Sequence, residues 1–278
     1  MNATTGFKRI LLATDGSEQA EAAVAATIGL SRSASAEVLV VHVEVEGQGA
    51  PSRLVIKTVA TLREAGATAE ARICQATRDR VAETIAFVAK EFGADLVVLG
   101  SRGLSDWQSI FDHSVSHRVL SAVDCPVLVV RERLAIHVNE PRRVLLAIAG
   151  GDDVAPCVRA VIAAAKAPGS EVMVVHVAQA IFGAQGMAYV ESSEEIQATM
   201  ASALGILKDS GIEAQGIVAH AGPVANAVAE MARNWKADII VVGSGRLGDL
   251  GSLLLGSVSH RLLHATARPV LIAERMKN

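Results

Sequence analysis

Aromatic residues are scarce in this chain of 278 residues, with one Tyr, two Trp and five Phe. Holding single-stranded nucleic acid by base stacking needs such rings along a charged groove, so that class of function has little to work with. Positive charge is also short. The 26 Lys and Arg are outnumbered by 29 Asp and Glu, for a formal net charge of −3. No basic field is left for nucleic acid or an acidic membrane surface. The three cysteines, Cys74, Cys125 and Cys157, show no paired spacing, which suits buried thiols in a reducing compartment rather than a disulfide framework. No apolar run reaches membrane-spanning length. Met1 to Thr5 run directly into a strand, without a secretory leader. These shortages set the expectation of a cytoplasmic protein with no nucleic-acid and no membrane partner. A nucleophile elbow, paired carboxylates and a Walker loop are missing too, so no catalytic constellation is assigned.

What the chain does have is a long internal repeat. Leu96-Val97-Val98-Leu99-Gly100-Ser101-Arg102-Gly103 is answered by Ile239-Ile240-Val241-Val242-Gly243-Ser244-Gly245-Arg246. Ser114-Val115-Ser116-His117-Arg118 returns 143 positions later as Ser257-Val258-Ser259-His260-Arg261. Arg9 to Thr14 matches Arg143 to Ile148, and Val40-Val41-His42-Val43 matches Val174-Val175-His176-Val177, both at an offset of 134. The nine extra residues of the second half therefore fall between its second and third strands, around Gln179 to Glu191. A longer loop there either covers a pocket or partner or is an idle surface insertion. The repeat divides the chain into domains 1–137 and 138–278. Arg131 to Arg142, polar and containing Pro141, serves as the linker.

Hydrophobic residues make up 51% of the chain, enough for a core in each half. In the first half the expected strands lie at Arg9–Thr14, Glu37–Val43, Ala69–Cys74, Leu96 onward and Pro126 onward. Helices are expected from Glu18 to about Leu30, over roughly 53 to 66, from about Asp79 to Phe92 with Gly93 as terminator, and from about Ser114. The strands read as continuous apolar runs, which points to parallel strands covered by helices on both faces. The expected fold is α/β, two doubly wound, mostly parallel five-stranded sheets related by pseudo-two-fold symmetry. Each half ends on an apolar strand, sticky if left as an edge. Pairing of Val127–Val130 with Val270–Ala273 would make an internal pseudo-dimer, open to a further homodimer.

Ligands of open parallel sheets bind at the carboxyl ends of the strands. Asp15 stands there after the first strand, either as a ligand acceptor or as a turn former in Thr-Asp-Gly. The loop from Gly100 to Ser116 offers more. Gly100 and Gly103 permit close backbone approach, Ser114-Val115-Ser116 opens a helix whose free N–H groups suit an anion, and Arg102 adds charge. Nine residues separate Gly103 from His113. The bland reading is a connecting loop with a capping serine.

With these motifs in view, both halves resemble universal stress protein domains, and nearly the whole chain resembles a tandem member of that family. The resemblance carries the Leu-Leu-Ala-Thr-Asp-Gly-Ser opening and the late Ser-Val-Ser, and it implies an adenine-nucleotide-binding-like fold and site. Over the first half it implies nucleotide contacts from Ala13, Thr14, Asp15, Val43, Gly100, Arg102, Gly103, His113, Ser114, Val115 and Ser116, with His113 where the family carries its third glycine. In the second half it implies a degenerate site of Ala147, Val177, Gly243, Arg246, Gly256, Ser257, Val258 and Ser259. There Ala149 stands in place of the acidic residue and Arg246 in place of the second glycine. The implied ligand is ATP or a related adenine nucleotide, with Mg²⁺ accompanying it, and the implied role is regulatory, in stress response, with little or no hydrolysis. Two alternatives stand beside it: a nucleotide-free interaction protein acting through an unknown protein partner, and a slow ATPase.

Two further patterns carry less. Gly243-Ser244-Gly245-Arg246-Leu247-Gly248 spells a dinucleotide fingerprint, but the helix after it starts several residues late. His113 and His117, and His260 and His264, are spaced for one helix face; the pairs are not equivalent in the repeat and have no third ligand nearby, so no metal is assigned. His42 and His176 are equivalent, and either sit in the core with a satisfied nitrogen or line the ligand pocket.

Overall fold

The computed structural model describes residues 6–15, 21–32, 34–45, 52–101, 115–131, 141–149, 154–178, 180–183, 186–189, 191–220, 222–244 and 257–273. These fall into two compact units, 6–131 and 141–273.

In the first unit β1 (Arg9–Ala13), α1 (Glu21–Arg32), β2 (Glu37–Val45), α2 (Ser52–Glu64), β3 (Thr68–Ala76), α3 (Val81–Phe92), β4 (Leu96–Ser101), α4 (Val115–Ala122) and β5 (Val127–Arg131) follow in order. All strand pairs are parallel, in the order β5-β4-β1-β2-β3. The central strands are apolar throughout because helices cover both faces: Ile10, Leu11, Leu12, Leu96, Val97 and Val98 are all 0% exposed. Burying each such side chain contributes about 2 kcal/mol. α1 contributes Ala23, Val24, Ala26, Thr27 and Leu30 to the core, and α3 ends where Gly93 turns left-handed at φ 66°.

The second unit repeats the plan with β6 (Arg143–Ile148), α5 (Ala155–Ala164), β7 (Glu171–Ala178), β8 (Ala180–Gly183), β9 (Gly186–Tyr189), α6 (Ser193–Asp209), β10 (Ala214–His220), α7 (Val224–Asn234), β11 (Ile239–Gly243), α8 (Ser257–Ala265) and β12 (Val270–Ala273). Its parallel order is β12-β11-β6-β7-β10. α6 starts on a capping box: Ser192 Oγ accepts from the Glu195 N–H at 3.2 Å, and the Glu195 carboxylate accepts from the Ser192 N–H at 2.9 Å.

Three expectations need correction. The nine-residue insertion is not a plain loop: β8 and β9 form an antiparallel hairpin in which Gly183 faces Gly186, so two residues connect the strands. β3 and β10 are not continuous apolar runs; their exposure largely alternates, the pattern of a strand with one face covered and the other open. And α3 does not start at Asp79. A 3₁₀ turn over Arg78–Arg80 precedes it, and the α-helical bonding begins at Val81.

The amino ends of the two sheets are built alike. Asp95 accepts the backbone N–H of Lys8 at 2.7 Å and of Arg9 at 3.0 Å, and Asp238 accepts those of Arg142 and Arg143 at 2.9 Å each. Arg9 lies over the Phe92 ring at 4.6 Å and Arg143 over Trp235 at 5.9 Å. Both arginines also meet the first residue of the neighbouring strand, Glu37 at 3.8 Å and Glu171 at 3.3 Å.

Candidate functional site

The strand order reverses in each sheet at one place. In the first unit the chain leaves β1 for β2 on one side and returns to β4 on the other, so the crevice between β1 and β4 at their carboxyl ends is the switch point where such folds take ligands. Ala13 pairs in register with Leu99 there, which sets Thr14 beside Gly100 and brings Asp15 to the rim. Thr14 is buried and donates its N–H to Val41 at 3.0 Å; Asp15 is exposed. Val43 lies toward the end of β2, half-buried and in register with Cys74. The sequence stretch that resumes at α4 supplies Val115, 38% exposed, and Ser116, half-buried. The Ser116 hydroxyl makes no hydrogen bond among the described residues.

α4 is tied down from behind. Arg118 donates to the carbonyl of Asp79 and lies 3.4 Å from the Glu83 carboxylate, which fixes the helix start against α3. The Asp79 carboxyl is held below its ordinary range, first by the Thr77 hydroxyl and then by a backbone N–H, with Arg118 and Arg80 adding smaller effects. This anchor was not foreseen in the sequence. Its signal is an asymmetry: Arg118 recurs as Arg261, but Asp79 and Glu83 are answered by Gly222 and Asn226.

In the second unit the switch point lies between β6 and β11, where Ala147 pairs with Val242. Gly243 ends β11 in register with Ala273, and Ala149 is exposed at the end of β6. Val177, on β7, is 5% exposed. α8 begins at Ser257, and Val258 is half-buried. Ser259 differs from its counterpart Ser116: it is 3% exposed, and its hydroxyl donates to the Gly243 carbonyl at 2.6 Å. That hydrogen is not available to a phosphate.

Arg102, Gly103, His113, Ser114, Arg246 and Gly256 lie outside the described residues. So does most of the fingerprint-like segment, of which Gly243 and Ser244 are described; α8 opens only at Ser257, too far on for a dinucleotide turn. His260 and His264 sit 4.9 Å apart, tilted by 59°. No group of three or more His, Cys, Asp or Glu able to hold a metal occurs among the described residues. His42 is 5% exposed, with Nδ1 2.8 Å from the Thr14 carbonyl, so it is a core histidine with one satisfied nitrogen. No helix among the described residues is long and apolar enough to cross a membrane.

Set beside known proteins, the chain matches the universal stress protein family model twice, over residues 6–131 and 140–274. A universal stress protein of Bacillus subtilis, YxiE, is 30% identical over 148 residues, 45% of this chain and 99% of its own length. One from Mycobacterium bovis, Mb2028c, is 28% identical over 187 residues, 66% of this chain and 62% of its own length. Among solved structures, a universal stress protein from Archaeoglobus fulgidus has the same fold with a TM-score of 0.73 at 20% identity, covering 99% of this chain and 100% of that one. The duplicated parallel sheets and the two family matches give one conclusion: the chain belongs to the universal stress protein family and carries two of its domains.

Proposed function

We propose that this protein is a regulatory adenine-nucleotide-binding protein of the stress response, and that the first half is the half that binds. The observation that carries this reading is the contrast between Ser116 and Ser259. Ser116 keeps its hydroxyl uncommitted among the described residues at the opening of α4, whereas Ser259 has donated its own to Gly243. Asp15 stands at the rim of the first switch point as an acceptor for a sugar hydroxyl or an amine, while Ala149 provides none at the second. The residues of the first half therefore fit a nucleotide: an acidic rim, Val43 on the neighbouring strand, a glycine at the end of β4 and a helix start toward phosphate. Those of the second half fit it less well.

When bound, ATP supplies a charged ligand whose presence or absence alters the protein's surface; Mg²⁺ would accompany its phosphates. Nothing among the described residues arranges a nucleophile with a base, so the reading includes little or no hydrolysis, in the cytoplasm. Protein partners are the proposed downstream readers.

The test is direct. The protein is purified without added nucleotide and denatured, and the supernatant is resolved by anion exchange against adenine-nucleotide standards. About one nucleotide per chain supports the reading. If none co-purifies and calorimetry with ATP and Mg²⁺ is also silent, the protein is a nucleotide-free member that works through its partners.

A further inference from the structure

His42 and His176 hold the same place in the repeat but face different partners. His42 Nδ1 lies 2.8 Å from the carbonyl of Thr14; a carbonyl only accepts, so this nitrogen carries the proton. His176 is 1% exposed, and it is in register with Ile148, the counterpart of Thr14. It makes no bond to that residue. Instead the Glu191 carboxylate stands 2.7 Å from His176 Nε2. The contact is off the line of a hydrogen bond, and Nδ1 has no hydrogen-bond partner among the described residues.

Among the described residues the rest of the surroundings are nearly uncharged. The flanking strands present Ile148 and Val218 in register with His176. α6 buries Ile196, Thr199, Met200, Ala203 and Leu207, and α7 buries Ala225, Val228, Ala229 and Ala232. On the buried face of α5, Cys157 is the one titratable group among those described. The Glu195 carboxylate is occupied by Ser192. Glu191 is therefore the charged group placed on this imidazole. A neutral His176 leaves its polar atoms buried without well-aligned partners, whereas an imidazolium is compensated by the carboxylate beside it.

Position gives this contact its consequence. β8 begins four residues after His176, and β9 ends two residues before Glu191, so the pair closes the base of the inserted hairpin. We propose that His176 and Glu191 form a proton-dependent clasp that fixes the β8–β9 hairpin to the carboxyl end of β7, closed when His176 is protonated and loosened when it is neutral. Histidine is the side chain whose charge ordinarily changes between about pH 5 and 8, and the clasp is tested across that range. The first half lacks the nine inserted residues, and His42 meets no carboxylate among the described residues.

The experiment is native-state hydrogen exchange on the full chain at about pH 6 and about pH 8, with protection corrected for the intrinsic exchange rate. Peptides covering 180–189 are expected to be about fivefold better protected at the lower pH, relative to β1 and β2, since a charge-assisted contact outweighs a neutral one. Glu191→Gln, which changes a single partly exposed side chain, removes that pH dependence, and His176→Gln removes it as well. A hairpin whose protection does not change with pH, or one whose pH dependence survives in Glu191→Gln, overturns the clasp.

Discussion

Ser259 donates its hydroxyl to the carbonyl of Gly243 at 2.6 Å, joining the start of α8 to the end of β11. Ser259→Ala removes a buried hydrogen bond and leaves that carbonyl short of a partner, so it is expected to destabilise the second unit by about 1 kcal/mol. Ser116→Ala, at the equivalent place, is expected to leave stability unchanged and to weaken nucleotide binding. Chemical denaturation and calorimetry on both variants separate the two roles; equal loss of stability in both would contradict the assignment.

Ala149→Asp gives the second half the carboxylate that Asp15 provides in the first. Made alone it is expected to leave the stoichiometry by calorimetry at about one nucleotide per chain, because Ser259 keeps its hydrogen on the Gly243 carbonyl; a rise toward two would mean that the rim acceptor by itself decides binding. Asp15→Ala made alone is expected to lower affinity at least tenfold, the loss of one hydrogen bond to a charged acceptor. Unchanged affinity in Asp15→Ala would remove this residue from the site.

Asp95 and Asp238 each accept two backbone N–H groups at the amino end of a sheet. Replacing either by Ala leaves two donors to solvent or unpaired, at a cost of about 2 kcal/mol. The two variants are expected to lower the midpoint of their own unit by similar amounts, read by domain-resolved hydrogen exchange. A large inequality would mean that the two networks are not equivalent in energy despite their matching geometry.

The Glu195 carboxyl is held below its ordinary range by the backbone N–H of Ser192 and then by the Ser192 hydroxyl. A depressed folded value means the cap's contribution is fully present above the ordinary glutamate range near 4.5 and fades as pH falls through the lower folded value. Exchange protection in the first turn of α6 is expected to hold at about pH 6 and drop by about pH 3. In Glu195→Gln, which can still accept from the Ser192 N–H but does not titrate, that acid-dependent loss should be absent; an unchanged profile would refute the coupling.

The burial pushes the Cys74 thiol up, against the smaller lowering effect of Arg72. Less thiolate is then present at neutral pH, so labelling by a thiol reagent is expected to be slower than for a free cysteine. Arg72→Gln slows it further.

The order of elements was legible in the sequence because each strand of the repeat is marked twice. Ile10 to Leu12 and Val144 to Leu146 give the same apolar run, and parallel strands covered on both faces tolerate no polar interruption. Gly93 was readable as a helix stop because only a left-handed residue satisfies that end. The hairpin was not, since Gly183 and Gly186 look like loop glycines until their pairing is known. Nor was the fate of Ser259. A serine at a helix start has the same sequence signature whether its hydrogen goes to a ligand or back to the preceding strand, and only the position of the Gly243 carbonyl decides. The clasp of His176 lay beyond reach for a related reason: Glu191 belongs to the insertion, for which the repeat holds no template.

The duplicated frame of Arg9 with Asp95 and Arg143 with Asp238 has one more consequence. The two copies agree at the amino ends of their strands and part company at the carboxyl ends, so the chain contains its own reference specimen. A probe that reports on the same atom pair in each copy, one beside an equipped crevice and one beside a depleted one, measures ligand effects by difference within a single molecule, with temperature, solvent and concentration identical for both.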